Sequence, residues 1–257
     1  MAVTIGVPGA EPAVLFIHGF PLDRALWRHQ TSALPGWRCV APDLRGAGES
    51  SAPADRHAYT MARYAEDLVA LLDDLRLRET VACGLSMGGY VLFELLRRHA
   101  PRIRAAIFCN TKAEADSDEA KRGRDAMIQL AETGGAAAVA EAMLPKMLAP
   151  ATHALRPDVV REVRTMIARA PVPGIVGALH ALRERPDSTA TLPTIRVPAL
   201  VVAGSDDQIT PASGMRALAA RIPAARFVEI ADAGHLTPLE QPARLNEALR
   251  EFLKAVG

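Results

Sequence analysis

Short apolar runs recur along the chain and alternate with segments in which apolar residues are spaced three and four apart. The apolar runs cover positions 13–17, 38–41, 80–83, 105–109, 199–203 and 226–230. The segments with helical spacing cover positions 24–34, 61–75, 90–99, 213–221 and 242–255. Runs that are apolar on both faces are typical of parallel strands covered by helices. The alternation therefore predicts an α/β fold with a doubly wound, mostly parallel sheet.

One stretch, from Ala113 to Pro186, breaks this alternation. It contains no convincing strand, and its Ala, Leu, Met, Arg and Glu residues recur with helical spacing. Residues that interrupt helices divide it, namely Gly134, Gly135, Pro145, Pro150, Pro157, Pro171 and Pro173. We therefore expect several short helices, inserted between two strands as a helical cap, within a single domain that spans residues 1–257.

Composition narrows the range of partners. Hydrophobic residues make up 49% of the 257 residues and charged residues 23%, which is the ordinary balance of a globular protein. The 30 Lys and Arg residues against 29 Asp and Glu residues leave a formal charge of +1. No global field therefore attracts nucleic acid or an anionic membrane. We expect a small-molecule partner. Composition and charge do not indicate the oligomeric state.

Targeting signals and a disulfide framework are not evident in the sequence. Residues 1–10 lack the basic patch, apolar stretch and cleavage site of a secretory signal. No apolar run approaches the roughly 18 residues that indicate a membrane span. The 3 cysteines, Cys39, Cys83 and Cys109, lie inside apolar runs, which predicts small buried side chains. We expect a cytoplasmic protein.

The pentad Gly84-Leu85-Ser86-Met87-Gly88 lies between a predicted strand and a predicted helix. This is the context of a nucleophile elbow, a sharp turn that exposes a serine hydroxyl at the start of a helix. Its strained backbone leaves no room for side chains two residues before and after the serine, which explains the glycines. Such a pentad arises by chance in about one chain of this length in ten. A serine in a Gly-rich packing turn is therefore the alternative to a nucleophile.

The sequence His18-Gly19-Phe20-Pro21 follows the first strong apolar run. A loop at this place completes an oxyanion hole with a second backbone N–H group. The donors that we expect are the amides of Phe20 and Met87. We expect His18 to be structural, with its ring hydrogen-bonded under the loop.

Two later loops carry candidate acid and base residues. The segment Gly204–Pro211 leaves the run at 199–203 and contains Asp206 and Asp207, and His235 follows the next run. Both loops lie at the carboxyl edge of the predicted sheet, where α/β proteins build their sites. A carboxylate behind His235 would fix its tautomer, so that the ring can act as a general base.

These motifs resemble the successive signatures of the α/β-hydrolase superfamily, and the resemblance covers almost the whole chain. The matching segments are His18–Phe20, Asp43–Ser50, Gly84–Gly89, Gly204–Pro211 and Gly234–His235. The resemblance implies the α/β-hydrolase fold with Ser86 as nucleophile and His235 as base, in the chain order Ser, Asp, His. It implies Asp207 as the acid, because the family places this residue fourth in a Gly-x-x-Asp pattern, with Asp206 as the alternative.

Two further expectations concern the frame around this site. The Asp43–Ser50 loop is expected to be structural, with Arg45 paired to a carboxylate. Few residues precede the first apolar run, so the family's N-terminal antiparallel hairpin should be short or absent.

The serine at the elbow excludes the aspartate-based branches of the superfamily, which open haloalkanes and epoxides through an alkyl ester on a carboxylate. Attack of a serine on a carbonyl remains. The segment Cys83–Gly89 is similar to elbows of enol-lactone hydrolases and small carboxylesterases. The resemblance thus implies a serine hydrolase that cleaves an ester or lactone bond of a small apolar substrate. The alternatives are a carbon–carbon bond hydrolase, a perhydrolase and a catalytically weak small-molecule binding protein.

The predicted cap is expected to supply the substrate pocket, with Met143 and Met147 as candidate wall residues. No cofactor is expected, because no Gly-rich loop with a following Lys is present. The histidines outside the predicted triad lack partners at ligand spacing, so no metal site is expected.

Overall fold

The computed structural model describes residues 1–5 and 13–257 of the chain. Its strands are β1 (Val3–Ile5), β2 (Ala13–Ile17), β3 (Arg38–Pro42), β4 (Thr80–Leu85), β5 (Ile103–Cys109), β6 (Ala199–Gly204) and β7 (Ala225–Ile230). Its helices are α1 (Arg28–Thr31), α2 (Met61–Asp74), α3 (Met87–Arg98), α4 (Asp118–Met147), α5 (Pro150–Leu155), α6 (Pro157–Ala168), α7 (Val172–Arg183), α8 (Ala212–Ala220), α9 (Thr237–Glu240) and α10 (Pro242–Val256). A helix follows each of the strands β2 to β7, as the alternating pattern predicts.

The strands form one sheet in the order β1-β3-β2-β4-β5-β6-β7. Strands β2 to β7 pair in parallel, and β1 pairs antiparallel with β3. Every residue of β2, β4 and β6 is buried, because helices cover both faces of a parallel sheet. The predicted doubly wound, mostly parallel sheet is confirmed.

The N-terminal part of the sheet contains one strand that the apolar pattern does not reveal. Strand β1 has 3 residues, and two of them are exposed, so it lacks the apolar signature of the other strands. Strand β1 is the short antiparallel strand at this edge of the sheet. The segment 6–12, where a longer hairpin would continue, lies outside the described residues.

Strand β2 pairs with β3 on one side and with β4 on the other. The connection after β2 leads to one side of the sheet, and the connection after β4 leads to the other side. The carboxyl ends of β2 and β4 therefore form a topological switch point. Ligand sites of open α/β sheets lie at such points. The loops that follow β2, β4, β5, β6 and β7 all open on this edge.

Helices α4 to α7 lie between β5 and β6, in the stretch where the sequence predicts inserted helices. Gly135 breaks the helical geometry inside α4 with a φ of 71°, which agrees with the predicted interruption. The interruption expected at Pro145 is wrong, because α4 continues to Met147. Proline removes one N–H group and thereby frees the carbonyl of Glu141, a residue that is exposed, so solvent can satisfy it.

Helix α7 lies directly on the loop that follows β3. A Cβ atom on Gly174 would collide with the carbonyl of Gly46, and a Cβ atom on Gly177 would collide with the ring of Tyr59. The backbone of α7 therefore approaches this loop more closely than a larger residue permits. The same loop is fixed from below by Arg45, whose guanidinium binds both carboxylate oxygens of Asp67.

No single helix in the described residues is long and apolar enough to span a membrane, although α6 and α7, bent by 94°, pass that test as a pair on length and composition. Cys39, Cys83 and Cys109 are buried free thiols.

Candidate active site

Ser86 lies on the sharp turn between β4 and α3. Its backbone has φ 53° and ψ −113°, a region that costs free energy for any residue other than glycine. Cβ atoms on Gly84 and Gly88 would collide with the carbonyls of Gly88 and Ile17, respectively. The two glycines of the pentad are therefore required by the packing of the turn, as a nucleophile elbow demands.

The backbone of Ser86 is held by the end of β5. Its N–H group donates to the Cys109 carbonyl at 3.0 Å, and its carbonyl accepts from the Thr111 hydroxyl at 2.8 Å. Within the described residues, the hydrogen bonds of Ser86 use only its backbone. The turn is thus fixed while the Oγ hydroxyl stays available for reaction.

His235 and Asp207 meet at the same edge of the sheet. His235 follows β7 and is 3% exposed, and Asp207 follows β6 and is 5% exposed. The distance between His235 Nδ1 and Asp207 Oδ2 is 2.9 Å. An ionised carboxylate only accepts hydrogen bonds, so Nδ1 carries the proton and Nε2 keeps its lone pair. This tautomer is the one that a general base requires.

Asp207 is surrounded by hydrogen-bond donors. Its Oδ1 accepts from the N–H groups of Ile209 and Thr210 at 2.8 and 3.0 Å, and its Oδ2 accepts from the Thr210 hydroxyl at 2.5 Å and the Asn110 amide at 2.8 Å. Burial by itself raises the pKa of Asp207. The interaction with His235 and the hydrogen bonds from Thr210 and Asn110 outweigh burial and hold this pKa well below its usual range.

The neighbouring Asp206 has different surroundings. Its side chain is exposed, and its Oδ2 accepts from the hydroxyl of Ser205 at 3.2 Å. Of the two aspartates, the structure therefore brings Asp207 to His235 and leaves Asp206 in solvent.

The loop from His18 to Phe20 lies against the elbow. A Cβ atom on Gly19 would lie 3.2 Å from Ser86 Cβ. The N–H groups of Phe20 and Met87 donate to no other protein group within the described residues. His18 accepts from the Leu44 N–H group at Nε2, over 3.0 Å, and its Nδ1 contacts the Gly19 carbonyl at 2.9 Å. Burial lowers the pKa of His18, which favours a neutral ring beneath the loop.

A small cavity of ≈ 20 Å³ adjoins this loop. The Phe20 and Met87 side chains line it, and α7 contributes Gly174, Ile175 and Ala178. The lining is mainly apolar, and the cavity is far smaller than the roughly 300 Å³ of a typical ligand pocket, so it fits only a small apolar group.

Known proteins share this fold. Residues 12–242 match a family model described as the alpha/beta hydrolase fold. The chain belongs to the α/β-hydrolase family. The solved structure of a thermophilic esterase from Thermogutta terrifontis is 40% identical, with a TM-score of 0.94 over 99% of this chain and 93% of that chain. An enol-lactonase from Burkholderia xenovorans LB400 is 31% identical, with a TM-score of 0.91 over 98% and 96%.

Curated relatives of this α/β hydrolase are hydrolases of more than one kind. The 3-oxoadipate enol-lactonase 1 of Acinetobacter baylyi is 26% identical over 100% of this chain and 94% of the relative. Epoxide hydrolases are also among the relatives. A hydrolase is therefore shown, with ester and lactone hydrolysis in general supported.

The methionines expected to form the pocket wall lie elsewhere in this α/β hydrolase. Met147 is fully buried, and its carbonyl accepts the N–H group of His235 at 3.0 Å. Met143 is half-buried and packs against the core. Neither side chain lines the cavity beside Phe20. A direct role of Met143 or Met147 in substrate binding stays a prediction.

Three residues of the site were not singled out from the sequence. Asn110 binds Asp207 Oδ2 and the Gly234 carbonyl, Thr210 binds both oxygens of Asp207, and Thr111 binds the Ser86 carbonyl. The polar pair Asn110-Thr111 directly after a buried strand is the signal that could have revealed two of them, because polar residues at that edge face the site. Within the described residues, no group of three or more His, Cys, Asp or Glu side chains is arranged to hold a metal ion.

Proposed function

We propose that this protein is a serine hydrolase that cleaves a carboxylic ester or lactone bond of a small apolar substrate through an acyl-enzyme. The observation that carries the proposal is the 2.9 Å pairing of His235 Nδ1 with Asp207 Oδ2, at the edge where the strained turn presents Ser86. This pairing leaves His235 Nε2 free to take the proton of a hydroxyl group.

The reaction proceeds in two halves. His235 Nε2 accepts the Ser86 proton while Oγ bonds to the substrate carbonyl carbon, and the N–H groups of Phe20 and Met87 stabilise the oxyanion. The tetrahedral intermediate then expels the alkoxide, which takes the proton from His235, and the acyl group stays on Ser86. Water attacks this acyl-enzyme with His235 again as base, which releases the acid and restores the serine.

Chemistry supports an acyl substrate over an epoxide. An aspartate that opens an epoxide forms an ester, which water can cleave afterwards. Ser86 would form an ether instead, and a triad that activates water for attack on a carbonyl cannot hydrolyse it. The enol-lactonase and esterase relatives favour the same choice.

Two reagents test the proposal directly. A fluorophosphonate probe should label the protein covalently, and the purified enzyme should turn over p-nitrophenyl esters and simple lactones. Ser86→Ala should abolish the labelling and lower kcat on the order of a million-fold, while the far-ultraviolet circular dichroism stays unchanged. Retention of more than about a hundredth of the activity would remove Ser86 from the mechanism. Tight binding of an ester without turnover would indicate a binding protein instead.

A further inference from the structure

A buried carboxylate outside the proposed triad holds the loop that carries His235. Glu240 is the last residue of α9, and it is 3% exposed. Its Oε1 accepts hydrogen bonds from the N–H groups of Gly234 and Leu236, each at 3.0 Å. These two amides flank His235, so a single oxygen fixes the backbone on both sides of the imidazole.

The other oxygen of Glu240 binds the helical insertion. Its Oε2 accepts from the N–H group of Ala149 and from the hydroxyl of Thr152, each at 2.7 Å. The N–H group of His235 itself donates to the Met147 carbonyl. Three successive amides of the histidine loop therefore end on Glu240 or on the insertion.

Backbone packing makes this connection stiff. A Cβ atom on Gly234 would lie 2.5 Å from the Ala149 nitrogen and 2.8 Å from the Leu148 carbonyl carbon. The histidine loop and the insertion are thus in direct backbone contact at this point. A displacement of the segment 147–152 would be passed on to His235, because close-packed backbone has no free space to absorb it.

We propose that Glu240 is a positioning residue, which sets the place of His235 by bonding its loop to the Ala149–Thr152 segment of the insertion. The inference rests on the proposed function, since it takes His235 as the base. Nε2 must lie within hydrogen-bond distance of Ser86 Oγ, and a misplacement of about 1 Å costs about 100-fold in rate. Glu240 touches no reacting atom and acts through His235.

Glu240→Gln tests this role. The carboxamide keeps the size of the side chain but offers one acceptor oxygen, and its NH₂ group faces N–H donors. We expect kcat for a p-nitrophenyl ester to fall about 10- to 100-fold, with KM changed less than about threefold. Inactivation by the fluorophosphonate should slow by the same factor. The low-field proton resonance of His235 Nδ1 should shift or disappear.

Glu94→Gln is the matched control. Glu94 is also 3% exposed, but it lies on α3 and binds Arg97 and Arg98. This variant should lose stability while its kcat and its Nδ1 resonance stay unchanged. Thr152→Val is a milder second variant, which removes one donor on the insertion side. It should lower kcat a few-fold and move the same resonance, and it serves if Glu240→Gln does not fold.

Two results would overturn the inference. One is an unchanged kcat and resonance in Glu240→Gln and in Thr152→Val. The other is an equal loss of kcat in Glu94→Gln, which would show a general effect of stability. A wild-type protein that neither hydrolyses esters nor reacts with the probe would contradict the proposed function instead. The Nδ1 resonance would still report on Glu240 in that case.

Discussion

Asp207 and Asp206 carry the same side chain and differ in the hydrogen-bond donors that surround it. Both carboxylates leave the same strand end, but only Asp207 is buried among Asn110, Thr210 and His235. We expect Asp207→Asn to lower kcat by about 10⁴-fold, because an amide in its place favours the wrong tautomer of His235. Asp206→Asn is the matched variant and should change kcat less than about twofold, because Asp206 is exposed. The opposite order of effects on ester hydrolysis would assign the acid to Asp206.

The pKa of Asp207 decides how its contribution to stability responds to acid. Folding holds this pKa below its usual range, so the ionised form contributes stability above the ordinary carboxyl pKa of about 3.9, and this contribution is lost as pH falls through the lowered value. Asp207 thus stays ionised throughout the assay range. The difference in unfolding free energy between wild type and Asp207→Asn should therefore be constant between about pH 5 and 9 and shrink only in stronger acid. The check is urea unfolding of both proteins across this range, and a difference that already shrinks between about pH 9 and 5 would contradict the lowered pKa of Asp207.

The three proposed triad residues could be found from the sequence because each lies in a short local motif. Gly84 and Gly88 are needed by the turn itself, so the pentad carries its own signal. Asn110 and Glu240 were not predicted from the sequence, because their roles depend on partners that are distant along the chain. Asn110 binds Asp207, which is 97 positions away, and Glu240 binds Ala149, which is 91 positions away. Such contacts follow from the completed fold and leave no local pattern.

Helix α7 is the element that closes the cavity beside the proposed oxyanion hole. Its approach to the sheet depends on the small residues Gly174 and Gly177, which let Ile175 and Ala178 reach the lining. The sequence predicted an apolar roof in this stretch but favoured the methionines of α4. Apolar content alone does not show which helix faces the site, because α4, α6 and α7 all bury apolar residues and α4 packs against both of the others.

The width of this cavity should set the preferred acyl length. Ile175→Ala removes apolar bulk from the wall and should shift the best p-nitrophenyl ester to longer chains. Each added methylene is worth about 0.8 kcal/mol, which is up to about fourfold in kcat/KM until the cavity is full. A series from acetate to palmitate measures the shift. Met143→Ala is the control, and a profile that moves with Met143 but not with Ile175 would restore the α4 wall.

A buried ion pair joins the two ends of the insertion, where the inserted segment leaves the fold and re-enters it. The Arg185 guanidinium lies 2.7 Å from the Asp116 carboxylate, and both side chains are almost fully buried. Arg185 also donates to the carbonyls of Leu182 and Glu114, so it binds both ends of the insertion. Arg124 approaches the same carboxylate at 2.9 Å.

Asp116→Asn should therefore destabilise the whole molecule by about 3 kcal/mol, because it leaves the Arg185 cation buried without its anion. Glu141→Gln is the control: it breaks an ion pair with Arg164 in which the two side chains are 63% and 45% exposed, respectively, and it should cost less than about 1 kcal/mol. Urea unfolding at neutral pH measures both, and equal effects would contradict a stabilising role for the buried pair.

The difference in unfolding free energy between wild type and Asp116→Asn should also depend on pH, which gives an independent check. Burial raises the pKa of Asp116, but the hydrogen bond and charge of Arg124 and the charge of Arg185 outweigh it and lower this pKa. A lowered folded pKa means that the wild type holds the full contribution above about pH 4 and loses it as pH falls through the lowered value. Asn cannot titrate, so the gap in unfolding free energy between wild type and Asp116→Asn should be constant near neutral pH and shrink in acid. A gap that widens on acidification would show that Asp116 is protonated in the folded protein.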